Sequence, residues 1–209
     1  VVPSVNDLAE VMDSQASVQP RIEIVHLLLR ARADPRIADE RGISPLHLVA
    51  QVNSVVNVDL ARALIEGGAR VNLPDETGKA PLHNSLELSC AAEDNEGEET
   101  PEEENMAVCL LRHGASPVAP DAVGVPAIFW GIESPNEAFV VEAVQQSTDI
   151  VTLKRGKDGA TPLHVAAQHG LPHIVQVLLE AKSSVDVRDG FGRSPLLAAL
   201  EPPRNLDFE

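Results

Sequence analysis

The sequence predicts an all-α solenoid of stacked helix-turn-helix units joined by turn-like finger loops. Three observations predict it. Five segments share one residue order: "DERGISPLHLVA" (39–50), "DETGKAPLHNSL" (75–86), "DAVGVPAIFWGI" (121–132), "GKDGATPLHVAA" (156–167) and "DGFGRSPLLAAL" (189–200). Their glycines, Gly42, Gly78, Gly124, Gly159 and Gly192, lie 36, 46, 35 and 33 residues apart, the spacing of a repeat array. A second, leucine-rich set runs between them: "VHLLLRARADP" (25–35), "ARALIEGGARVN" (61–72), "VCLLRHGASPV" (108–118) and "VQVLLEAKSSVDV" (177–187).

Each unit therefore reads as a polar turn with glycine, a short helix, a tight corner and a second helix. Ser44, Thr161 and Ser194 are helix N-cap residues, and Pro45, Pro162 and Pro195 follow with φ preset and no amide left unused. Leu27, Leu28, Ile65, Leu110, Leu111, Leu178 and Leu179 recur at spacings that give the second helices an apolar face. Gly67, Gly68 and Gly114 follow those stripes, where a left-handed C-cap is wanted.

The units run over about 1–38, 39–74, 75–120, 121–155, 156–188 and 189–209, one repeat domain in all. In the opening unit, residues 4–14 read as a first helix and 20–31 as its second. The long 46-residue interval holds an acidic insertion at 91–100, expected as a loop. "TPEE" (100–103) then gives a cap, a proline and a capping-box Glu103, and "SPNE" (134–137) repeats that logic with Ser134 as cap before a helix at about 135–145. The unit at 121 is the divergent one and is expected to form the weakest interface of the stack.

Composition excludes several classes of function. The formal net charge of −16 argues against a nucleic-acid backbone as partner, because such binders carry a cationic stripe. Eight of the acids lie in "EDNEGEETPEEE" (93–104), which lacks the spaced pattern of a calcium loop. Apolar runs such as "IVHLLL" (24–29) fall far short of a membrane span, and no secretory signal is visible. The chain opens on Val1, as a processed or excised domain would. Cys90 and Cys109 form no C-x-x-C pair, which suits reduced thiols in the cytoplasm or nucleus.

Three histidines, His164, His169 and His173, stand in "TPLHVAAQHGLPH" (161–173). Gly170 and Pro172 interrupt them, so they cannot form the i, i+4 pair of a helical zinc site. No phosphate-loop, metalloprotease or nucleophile-elbow motif occurs. Neither catalytic residues nor a metal or cofactor site is expected.

The T-P-L-H segments, the leucine-rich helices and the "GA" that follows them resemble the ankyrin repeat over roughly residues 20–200. The match is close in the units at 39, 75 and 156, fair at 189, and poor at 121, where Pro126, Ala127, Ile128 and Phe129 replace the motif. The resemblance implies that His47, His83 and His164 are structural, bonding the cap and the neighbouring turn. It places Trp130 in the inter-repeat core, in space left by the absent histidine. It implies a non-catalytic scaffold that binds a protein or peptide through turn tips and the inner helices. On this sequence those positions are Arg41, Ile43, Glu76, Lys79, Val123, Val125, Lys157, Phe191 and Arg193 at the tips, and Gln51, Glu87, Glu133 and Gln168 along the inner helices. Val123, Val125 and Phe191 are candidate anchors, and the glutamates would favour a basic or amphipathic segment. A monomer is expected, with no membrane or nucleic-acid partner. A targeting or regulatory arm of a larger protein is the alternative, and an enzyme or small-molecule binder on this scaffold would need a pocket of perturbed groups near Trp130.

Overall fold

The computed structural model describes residues 15–87, 105–134, 136–156 and 158–201. Helices form the whole of the regular structure among the described residues, apart from one isolated bridge between Pro120 and Pro126. An opening helix, α1 (Gln15–Arg30), precedes α2 (Pro45–Ala50) and α3 (Val55–Glu66) of unit 1. Unit 2 carries α4 (Pro81–Glu87) and α5 (Met106–Arg112), and unit 3 carries α6 (Ala127–Glu133), α7 (Glu137–Gln146) and a 3-10 turn at Thr148–Thr152. Unit 4 carries α8 (Pro162–Gln168) and α9 (Pro172–Glu180), and unit 5 carries α10 (Pro195–Leu200).

The helices pack in two layers. The short inner helices α2, α4, α6, α8 and α10 each contact the next in the row, and the outer helices α1, α3, α5, α7 and α9 do the same. One helix pair cannot close its own apolar face, so neighbours bury it instead. Leu46, Leu82, Ile128, Phe129, Leu110, Phe139 and Ile174 are all within 1% of complete burial. The apolar core runs without a break from Leu46 to Leu178. No helix among the described residues is long and apolar enough to cross a membrane.

Four of the five turns are built on one carboxylate. Asp39 Oδ1 accepts the N–H groups of Arg41 and Ile43, and Asp75, Asp121 and Asp189 do the same for residues two and four positions on. Successive tips are then joined through the backbone: Glu76 N–H donates to the Arg41 carbonyl, Ala122 N–H to Thr77 and Gly190 N–H to Asp158. Gly78 shows why glycine is required here. Its φ is +73°, and a Cβ would lie 2.4 Å from the Ala122 nitrogen of the next tip.

Unit 3 keeps the helix pair by other means. Phe129, fully buried, fills the slot that histidine holds elsewhere, which corrects the assignment of that space to Trp130. Trp130 is half-buried at the edge of the core. Gly131 lets the buried Phe139 ring lie flat against α6; a Cβ there would stand 2.3 Å from two ring carbons.

Other expectations change at helix ends. Asn136, rather than Ser134, caps α7, its side chain accepting the Phe139 N–H at 3.1 Å. Ser134 ends α6 instead, with its hydroxyl buried and without a partner. Asn105 caps α5 through Ala107 N–H at 2.9 Å; the "TPEE" segment and the acidic insertion lie outside the described residues, as do residues 4–14. In α1, which begins at Gln15 rather than 20, Leu27 and Leu28 are 62% and 53% exposed. The apolar stripe expected to be buried is thus open at this end of the row.

Candidate binding surface

Turn tips and the last residues of the inner helices share one side of each unit, because a glycine-containing turn feeds every inner helix. A regular pairing results. The residue after the tip glycine faces the residue eight positions later, at the end of the inner helix. In unit 2 these are Lys79 and Glu87, an ion pair at 2.9 Å. In unit 5 they are Arg193 and Glu201, at 3.0 Å. In units 1 and 4 both positions are uncharged, Ile43 with Gln51 and Ala160 with Gln168. Unit 3 breaks the rule with Val125 and Glu133, and its glutamate takes a cation from the next unit, Arg155.

Arg155 was not legible as a site residue. It stands where the other tips carry aspartate, in a turn one residue longer: four positions separate it from Gly159, against three from Asp39 to Gly42. It binds Glu133 and Asp158 together and lies over the Phe129 ring at 5.9 Å. Burial would raise the Asp158 carboxyl, but the Arg155 guanidinium and the Ala160 N–H outweigh it and hold the group below the usual carboxylate range. Aligning the tips on their aspartates rather than their glycines exposes this substitution.

The predicted positions differ in exposure and in pairing. Val123 and Phe191 project from their tips, 59% and 62% exposed. Arg41, Gln51 and Glu76 are exposed, with Arg41 3.6 Å from Asp39. Ile43, Lys79 and Gln168 are half-buried, as is Val125, which packs against the core. Glu87 and Glu133 are exposed but neutralised by Lys79 and Arg155, so the acidic groove expected from the sequence is charge-balanced in the structure. Arg193 is corrected outright: at 7% exposure it is buried, tied to Asp189 at 2.7 Å and to Glu201. Lys157 lies outside the described residues. Leu48, which follows His47 on α2, is 56% exposed and was missed because its apolar type suggests core.

The histidines do not converge. His47 and His164 are buried tie points, His169 ends α8, and His173 reaches Glu137 on α7 at 2.9 Å. His113 Nδ1 bonds the Cys109 carbonyl at 2.8 Å. Among the described residues no group of three or more His, Cys, Asp or Glu side chains could hold a metal ion. Burial raises the Cys109 thiol above its ordinary value, leaving it a small hydrophobe.

A row of two-helix units with Asp-anchored tips, bonded through T-P-L-H histidines, defines a helical repeat protein. The family description "Ankyrin repeats (3 copies)" matches residues 14–96, and "Ankyrin repeat" matches residues 158–190. The chain belongs to the ankyrin-repeat family. It is 32% identical over 169 residues to the mouse B-cell lymphoma 3 protein homolog, covering 78% of this chain and 34% of that protein. It is 34% identical over 94 residues to a putative ankyrin repeat protein of Rickettsia bellii, covering 44% of this chain and 34% of that one. The chain thus spans about a third of the length of these relatives. A solved structure titled as the Bd0816 predatory endopeptidase from Bdellovibrio bacteriovorus in complex with immunity protein Bd3460 contains a chain of the same fold. The TM-score is 0.64 at 18% identity, over 90% of this chain and 91% of that one.

Proposed function

We propose that this chain is a non-catalytic scaffold that grips a protein or peptide partner through its turn tips and inner-helix face. Ankyrin repeats generally mediate protein–protein interaction, and the family is typically non-catalytic. One observation carries the reading: Val123 and Phe191 at the tips and Leu48 on an inner helix hold apolar side chains 56–62% exposed. Rigid apolar side chains raised on fixed turns are what a partner's own apolar residues can bury. An amphipathic segment fits this face better than a basic one, because Glu87 and Glu133 are already paired. The free, buried Cys109 thiol supports a cytoplasmic or nuclear setting, and we take the working form to be a monomer.

The test is affinity capture with the intact chain, followed by titration of the captured partner. Leu48→Ser, Val123→Ser and Phe191→Ser should each weaken binding at least about tenfold, the cost of losing one apolar anchor, without lowering the unfolding midpoint. Affinity that falls steeply with salt while resisting all three changes would defeat the apolar reading. A second reading, a regulatory arm of a longer protein, is favoured by the third of each relative's length that the chain spans. Full-length chain size decides it.

A further inference from the structure

The histidine that ties one unit to the next is complete at two junctions and broken at a third. His47 Nδ1 lies 2.8 Å from the Ser44 hydroxyl and accepts the Ser44 N–H at 3.1 Å, while Nε2 reaches the Lys79 carbonyl at 3.2 Å. His164 repeats the set with Thr161 at 2.8 Å and 3.3 Å and with the Arg193 carbonyl at 2.9 Å. His83 occupies the same slot, 0% exposed, and keeps one of the three bonds, from Ala80 N–H to Nδ1 at 3.1 Å. Ala80 has no hydroxyl to offer, and Nε2 is buried without a partner. Since Nδ1 accepts, the neutral ring carries its proton on Nε2, and that donor is orphaned. Beside it the ring of Trp130 stands at 89°, centroids 6.1 Å apart. Lys79 Nζ lies 4.8 Å from the Trp130 centroid and is held by Glu87.

We propose that the junction between units 2 and 3 opens on mild acidification, when protonation of His83 separates α4 from α6 and exposes Trp130. Geometry separates His83 from the other two. A protonated His47 or His164 finds an acceptor at both nitrogens, because the Ser44 or Thr161 hydroxyl can turn its lone pair toward Nδ1 and a carbonyl already faces Nε2. A protonated His83 has no acceptor in hydrogen-bonding geometry at Nε2, although the Ala119 backbone favours its charge, and a second donor at Nδ1 is aimed against the Ala80 N–H.

No spare anion stands ready on the elements packed against α4. His47 on α2 is bonded as above. On α5, Cys109 is neutral and Arg112 turns to Glu142 at 3.5 Å. On α6, Glu133 is bound by Arg155. At the tips, Lys79 opposes a second positive charge, and the Asp121 carboxylate, which favours one, is engaged by the Val123 and Val125 N–H groups. Burial, with Lys79 adding to it, holds the His83 ring below the ordinary histidine value of 6.5 despite Asp121 and the backbone of Ala119 and Ala80. The opened form, titrating near 6.5, therefore binds the proton more tightly. Closure is complete above that pH and is lost as pH falls, opening rising about tenfold per pH unit between the two values.

Trp130 is the single tryptophan of the chain, so its fluorescence reads this junction. Emission followed from pH 7.5 to pH 5 should shift to the red with a midpoint below 6.5. Hydrogen exchange, corrected for its intrinsic pH dependence, should rise in α4 and α6 ahead of α8 and α9. His83→Phe should abolish both changes; Phe129 shows that this slot holds a buried phenylalanine. An unchanged transition in that variant, or simultaneous opening of all four helices, would overturn the proposal. Should His83→Phe not fold, imidazole resonances in the wild-type chain decide. A His83 ring titrating below 6.5 together with the Trp130 shift supports the proposal, and one titrating at or above 6.5 sinks it.

Discussion

The junction of units 4 and 5 and the junction of units 3 and 4 solve one problem with different chemistry. At the first, Thr161, His164 and the Arg193 carbonyl form a polar tie within a buried interface. At the second, Phe129 takes the histidine slot and contributes no hydrogen bond from its side chain. Apolar burial of Phe129 and Phe139, the close fit at Gly131 and the Arg155–Glu133 pair replace it. The repeat motif is therefore one of several ways to fill an inter-unit slot. What the stack demands is that the slot be full and its polar atoms satisfied. The divergent unit fills its slot with apolar side chains yet leaves the Ser134 hydroxyl buried without a partner, and another unmet polar atom lies one unit earlier, at His83.

Three measurements separate the two kinds of junction. The largest effect is expected from Phe139→Ala, which empties the apolar solution of unit 3 and should cost about 3–5 kcal/mol in urea unfolding. Next comes His164→Ala, which strands the Thr161 N–H, removes the tie to the Arg193 carbonyl and should cost about 2–3 kcal/mol. If His164→Ala proved as costly as Phe139→Ala, the polar tie would be worth more than the packing that replaces it, and the equivalence drawn here would fail. The smallest is the coupling between Arg155→Met and Glu133→Gln in a double-mutant cycle. Because Glu133 is 39% exposed, about 1 kcal/mol is expected, declining with added salt. A coupling indistinguishable from zero would leave apolar burial alone to hold units 3 and 4 together.

The tips and helices were legible because they rest on local rules: an aspartate bonds N–H groups two and four residues on, a proline follows a hydroxyl cap, a glycine admits positive φ. Val123 and Phe191 were legible for the same reason, as apolar residues on a turn that has nowhere to hide them. Glu133 was misread because its charge is cancelled by Arg155, twenty-two positions away and beyond any local window, and Arg193 because Asp189 four positions back and Glu201 eight positions on hold it together. His83 carries the full motif residue in sequence and yet lacks two of its three bonds. Whether Nε2 meets a carbonyl depends on how the next unit sits.

By itself, the sequence determined the repeat period, the two-helix unit, the capping chemistry and the family, since each is written in residues close along the chain. Tertiary structure alone decided which charges remain free, which apolar side chains face water and which histidine is left with an unsatisfied proton. Those properties belong to contacts between units, and a unit's own residues specify only its half of each contact.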